Sequence, residues 1–110
     1  MEKKTLQVVI SSFYEPDLSE IHEYGTETFG KRYADEFIAE IYLAVEDLKT
    51  HYELHVECRQ LRTKSRRYRN IIKGAYLIIY RITTDRVEVL RAIHGSKSPS
   101  FIRTARSVKI

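Results

Sequence analysis

The sequence predicts an α+β domain, with an N-terminal strand and a helical hairpin packed on a small antiparallel sheet that ends in a three-stranded meander. Three observations predict it. Residues 31–49 repeat apolar side chains at steps of three and four, the period of a helix with one buried face. Residues 69–93 hold three runs rich in Ile, Val, Leu and Tyr, joined by short connections. The 110 residues suit one core and are too few to divide, so residues 1–110 are read as a single domain whose elements all serve one fold.

Thr5–Ser11 is rich in Val and Ile and alternates weakly, which suits a first strand ended by Ser11 and Ser12. A helix beginning at residues 14–16 places Pro16 in its first turn, where the missing N–H breaks no bond. Leu18, Ile21 and Tyr24 give it a narrow apolar face; Gly25 weakens it and Gly30 breaks it. From Lys31, the residues Tyr33, Phe37, Ile38, Ile41, Ala44, Val45 and Leu48 form the apolar face of a second helix of about 20 residues. His51 to Glu57 is a polar connection. Its His51 and His55 have an i, i+4 spacing that can bind a metal on a helix, but no third ligand at suitable spacing accompanies them, and a turn is expected. Arg69–Ile72, Ala75–Ile82 and Arg86–Ile93 are three strands, with Lys73-Gly74 and Thr84-Asp85 as tight connections. Leu77, Ile78, Ile79 and Ile82 leave neither face of the middle strand polar, as in a central strand covered on both sides. The tail after Gly95, SKSPSFIRTARSVKI, has no clear period and is expected to be a loop or short, mobile segment.

Hydrophobic content of 43% against 31% charged residues excludes a disordered chain. The apolar run Leu6–Ile10 is too short for a secretory leader or a membrane span, so a cytoplasmic protein with no membrane partner is expected. A single cysteine, Cys58, offers neither an internal disulfide nor a metal pair, and nothing implies a cofactor. Charge is divided unevenly. Residues 1–57 hold 13 acidic and 5 basic side chains, a balance of −8, whereas residues 58–110 hold 2 acidic and 14 basic, a balance of +12. Such a field draws a polyanion to the second half. Within it RQLRTKSRRYRNIIK, residues 59–73, interleaves seven basic side chains with Tyr68, and no acidic residue occurs between Arg59 and Thr84. Arg62, Lys64, Arg66, Arg67, Tyr68 and Lys73 have the composition of a phosphate-contacting surface with one stacking aromatic. Tyr76 and Tyr80, two residues apart on one strand face, are read as core.

The run YRNIIKGAYLIIYRITTDRVEVLRAIHG, residues 68–95, preceded by PDLSEIHEY (16–24) and ADEFIAEIYLAVEDL (34–48), closely resembles the RelE/ParE superfamily of bacterial type II toxin–antitoxin toxins. The likeness spans nearly the whole chain and is nearer the ParE-like branch. It implies a growth-inhibiting toxin of a plasmid-stabilisation system, silenced by a cognate antitoxin in a hetero-oligomer. RelE-like members are mRNA interferases that cut mRNA in the ribosome, whereas ParE-like members poison DNA gyrase without a nuclease site. Cleavage of the RelE kind needs a proton acceptor for the 2′-OH, cations on the phosphorane and a donor to the leaving oxygen. The resemblance implies His94, Arg69, Arg81 and Arg91 for that work, with Glu88 available to pair the last two. A histidine before the glycine occurs in both branches, so His94 does not separate them. Leu77 stands where nuclease members carry an arginine, which favours the gyrase-directed branch; a toxin fold kept as an inactive binding module is a third outcome.

Overall fold

The computed structural model describes residues 4–110. The elements are β1 (Gln7–Ile10), α1 (Tyr14–Phe29), α2 (Lys31–His51), β2 (Tyr68–Lys73), β3 (Tyr76–Ile82), β4 (Arg86–His94) and α3 (Pro99–Arg103). The sheet order is β1-β4-β3-β2. Strands β2, β3 and β4 form the antiparallel meander, and β1 joins the far side of β4 in parallel, Gln7 opposite Arg86 and Ile10 opposite Val89. Among the described residues no helix is long and apolar enough to cross a membrane.

Ser11 turns the chain from strand into helix. Its hydroxyl donates to the Leu90 carbonyl and accepts from the Phe13 N–H at 3.1 Å, so its buried oxygen is used twice. Gly30, at φ 97°, breaks the helical run where a side chain would be strained, and its N–H still closes α1 on the Thr26 carbonyl. Gly25 is not merely a weak point in α1. A Cβ there would sit 3.3 Å from Cβ of Ala34, so the pair of small residues sets how closely the two helices cross. Consequently Gly25 and Ala34 are buried, while Tyr24 and Tyr33, expected on the apolar faces, are turned outward.

Two apolar layers enclose the sheet. On one face Leu18, Ile21, Ile41, Val45 and Leu48 from the hairpin meet Ile78, Tyr80, Val87 and Val89. On the other, Tyr68, Ile79, Leu90 and Ile93 are covered by Leu61, Ile102, Ala105 and Val108. The middle strand β3 is therefore covered on both sides, as its continuous apolar run implies. The tail after Gly95 is a short helical segment and not a loop. Ser98 caps α3 by accepting from the Phe101 N–H at 3.1 Å, Pro99 follows it at the first position, and a 3₁₀ turn over Thr104–Ser107 continues the segment. A five-residue helix is too short to display a period; burial of Ile102 holds it in place.

A bulge interrupts the β3–β4 ladder: Tyr80 faces Val89 and Ile79 faces Arg91, leaving Leu90 as the extra residue. Alternation shifts there. Val87 and Val89 face the hairpin, but beyond the bulge it is Ala92 that does so, and Ile93 faces the tail.

Candidate functional site

Because β1 ends opposite Val89, the second half of β4 is an open edge. Asp17, buried on the first turns of α1, closes it. Its Oδ2 accepts from the Ala92 N–H at 3.0 Å and from Arg91 Nε at 2.8 Å, while Oδ1 accepts from Arg91 Nη2 at 2.9 Å. This two-pronged bond raises the Arg91 guanidinium above its ordinary pKa, burial acting in the opposite sense. The Phe13 and Phe101 rings stack on the same guanidinium at 4.7 and 5.5 Å.

Arg91 and His94 line one open cleft of about 540 Å³ with Tyr24, Tyr76, Lys97 and Phe101. His94 ends β4, its ring edge-on to Tyr76 at 5.3 Å. The Ser96 N–H points at His94 Nδ1 at 3.0 Å, and the Ser96 hydroxyl lies 2.6 Å from the same nitrogen. A backbone N–H can only donate, so Nδ1 is the acceptor and the neutral ring carries its proton on Nε2. In this state His94 offers the cleft a donor and no free lone pair. Leu77, paired with Ile93, packs on the tail-side core, so no cation occupies its place.

The other two candidate arginines lie elsewhere. Arg81, opposite Tyr68 in the ladder, sits on the tail side and donates to Glu88 at 2.7 Å and to the Val108 carbonyl at 3.1 Å. Glu88 also accepts from Arg86 at 2.8 Å. Burial alone would raise the Glu88 carboxyl, but the hydrogen bonds from Arg81 and Arg86 outweigh it and hold the group below the usual carboxylate range. Arg69, opposite Tyr80, lies on the hairpin side. Its guanidinium donates to the carbonyls of Arg66 (3.0 Å), Glu53 (2.7 Å) and His55 (3.2 Å). The structure thus brings His94 and Arg91 together and sets Arg69 and Arg81 on opposite faces of the sheet.

The basic stretch is also sorted. Tyr68 is 1% exposed, so the expectation of a base-stacking ring is corrected: the run from Arg67 into β2 alternates, and Tyr68 takes the inward place in the tail-side core. Arg67 and Arg81 lie over its ring at 5.3 and 5.7 Å. Lys73 is ion-paired with Glu40 of α2. Arg62, Lys64, Arg66 and Arg67 remain exposed. Tyr80 is core, its hydroxyl donating to the Tyr52 carbonyl at 2.6 Å. His51 pairs with the Asp47 carboxylate one turn earlier on α2 at 2.9 Å, and His55 packs edge-on against Tyr80. Among the described residues no group of three or more His, Cys, Asp or Glu side chains could hold a metal ion. Cys58 is fully buried, and burial pushes its thiol up, away from the reactive thiolate. Sequence reasoning missed Asp17. The only signal was an acid in the first turn of α1, which a helix N-terminus explains without any partner on a distant strand.

This arrangement of strand, helical hairpin and antiparallel meander is that of the RelE/ParE toxins. Residues 8–99 match the sequence model of the ParE toxin of the type II toxin-antitoxin system parDE, and the chain belongs to that family. A solved structure described as the chromosomal ParDE TA system from P. aeruginosa is similar in fold, with a TM-score of 0.66 and 13% identity over 84% of this chain and 98% of that chain. No curated protein matches the sequence significantly.

Proposed function

We propose that this family member is a growth-inhibiting toxin that acts by binding DNA gyrase, and that a cognate antitoxin neutralises it in a toxin–antitoxin hetero-oligomer. The observation that carries this reading is the dispersal of the arginines. Arg91 is held two-pronged by Asp17, Arg81 by Glu88, and Arg69 by three carbonyls on the opposite face from Arg81. Stabilising a phosphorane requires several cations converging on one point, and a lost cation there costs about 3–4 kcal/mol of transition-state stabilisation. Leu77 adds nothing to that charge. In the gyrase reading, Arg62, Lys64, Arg66 and Arg67 form a basic face turned towards the DNA that gyrase holds.

A ribosome-dependent endoribonuclease is the second reading, favoured by the cleft that Arg91 and His94 share with Lys97. The test runs both assays on the same folded preparation. The expected result is that the protein blocks supercoiling of relaxed plasmid by gyrase and leaves mRNA intact in primer extension from a translating purified system. Cuts within codons that require ribosomes and disappear in His94→Ala would replace gyrase with the ribosome. Silence in both assays, with harmless overexpression, would leave a binding module on a toxin fold.

A further inference from the structure

Apart from the His94 cleft, the basic connection before β2 folds back over the end of α2 and encloses a second one. It is about 490 Å³ in volume, and Lys4, Arg66, Arg67 and Arg69 bring four cations to its lining against a single carboxylate, Glu53. The loop that presents them is fixed. Arg66 has φ 53°, a left-handed conformation that a side chain rarely adopts, and the turn is held by Arg66 N–H to the Thr63 carbonyl (3.2 Å) and Arg67 N–H to Thr63 Oγ1 (3.4 Å). Arg69 Nε then donates to the Arg66 carbonyl at 3.0 Å, tying the turn to β2. Neither Arg66 nor Arg67 has a carboxylate partner among the described residues, and both are exposed. Lys4 donates to the Thr84 carbonyl at 3.1 Å and keeps its charge in the lining of the same cleft.

From this geometry we infer that the cleft is a binding site for the phosphodiester backbone of a nucleic-acid duplex. The charge does not stop at the cleft: Arg62 and Lys64 continue it along the same exposed loop, as a repeating anion requires and a single carboxylate does not. A duplex fits better than a single strand. Proteins that grip single strands gain much of their affinity by stacking bases on exposed aromatics, and the ring available for this, Tyr68, is buried. The contacts are to phosphates, and binding is independent of sequence. The inference rests on the reading of the basic half as facing DNA, but it is measured without gyrase, so failure of one does not entail failure of the other.

The experiment is fluorescence anisotropy of labelled 20-base-pair DNA and RNA duplexes, and of single-stranded DNA of the same length, titrated with the intact protein over a series of salt concentrations. Wild type is expected to bind a duplex with a dissociation constant of about 10⁻⁴ to 10⁻⁶ M near physiological salt, more tightly than the single strand. The DNA and RNA arms identify which duplex is the ligand. Arg66→Ala with Arg67→Ala is expected to weaken binding roughly tenfold and to flatten the slope of log K against log salt by about 2, since each lost phosphate contact removes about 0.9. Arg103→Ala with Lys109→Ala removes the same charge from exposed positions on the tail and should change affinity less than about twofold. Glu53→Gln, which deletes the carboxylate of the cleft, should tighten binding about twofold. The site is overturned by equal weakening from the two double variants, by tighter binding of the single strand, or by no binding of either duplex. Should the Arg66, Arg67 variant lose its circular dichroism spectrum, Glu53→Gln decides alone, and an unchanged affinity refutes the cleft.

Discussion

Asp17 satisfies a strand edge and an arginine with one carboxylate; Asp17 and Ala92 are buried, and Arg91 is half-buried at the wall of the His94 cleft. Asp17→Ala would strand the Arg91 charge and leave the Ala92 N–H unpaired. Leaving that buried N–H unsatisfied costs about 1–3 kcal/mol, while the half-buried guanidinium regains water through the cleft, and urea denaturation of the variant should show a loss of that order. Glu88 carries a pH dependence. Its folded pKa is lowered by Arg81 and Arg86, so its stabilisation is complete above the unfolded value near 4.3 and is lost as pH falls through the folded value. Glu88→Gln is therefore expected to lower the melting temperature at pH 7 and to flatten its decline between about pH 5 and 3; an acid limb parallel to wild type would assign that decline to other groups. The possible pairing of Glu88 with Arg81 was legible because β3 and β4 are hairpin neighbours. The Asp17–Arg91 pair was not, because 74 residues separate its members and only the packing of α1 against the edge of β4 joins them.

At the scale of elements, α2 could be read from the sequence because it repeats its period several times, α1 from Pro16 and Gly30 at its ends, and the meander from apolar runs separated by tight turns. Two placements could not. Pairing of β1 with β4 depends on which sheet edge the returning chain leaves open, and the tail's helix spans little more than one turn, too little to repeat a pattern. The tail nevertheless supplies the lid of the second core: Ile102, Ala105 and Val108 are buried on Tyr68, Ile79 and Leu90, and Arg81 holds the Val108 carbonyl at 3.1 Å. Ile102→Ala should cost about 2–5 kcal/mol in chemical denaturation, as expected for truncation in a packed core. A loss under about 0.5 kcal/mol would mean that the tail lies loosely on the sheet, since that is the range of surface substitutions.

Across the whole molecule, the uneven division of charge along the chain becomes a division between layers. The hairpin over Tyr14–His51 carries 10 acidic and 3 basic side chains, and the residues that follow it carry the cations of the β2 approach and the tail. The sequence by itself determined this polarity, the α+β class, the order of the long elements and the family likeness, because composition and period are local properties. Only the tertiary structure decided which charges are free. Arg69, Arg81 and Arg91 look equivalent as letters on strands, yet one is tied to carbonyls, two are paired with carboxylates, and Tyr68 among the basic residues is buried. Exposure and pairing depend on what folding brings alongside each side chain from distant parts of the chain, and no local pattern encodes those neighbours.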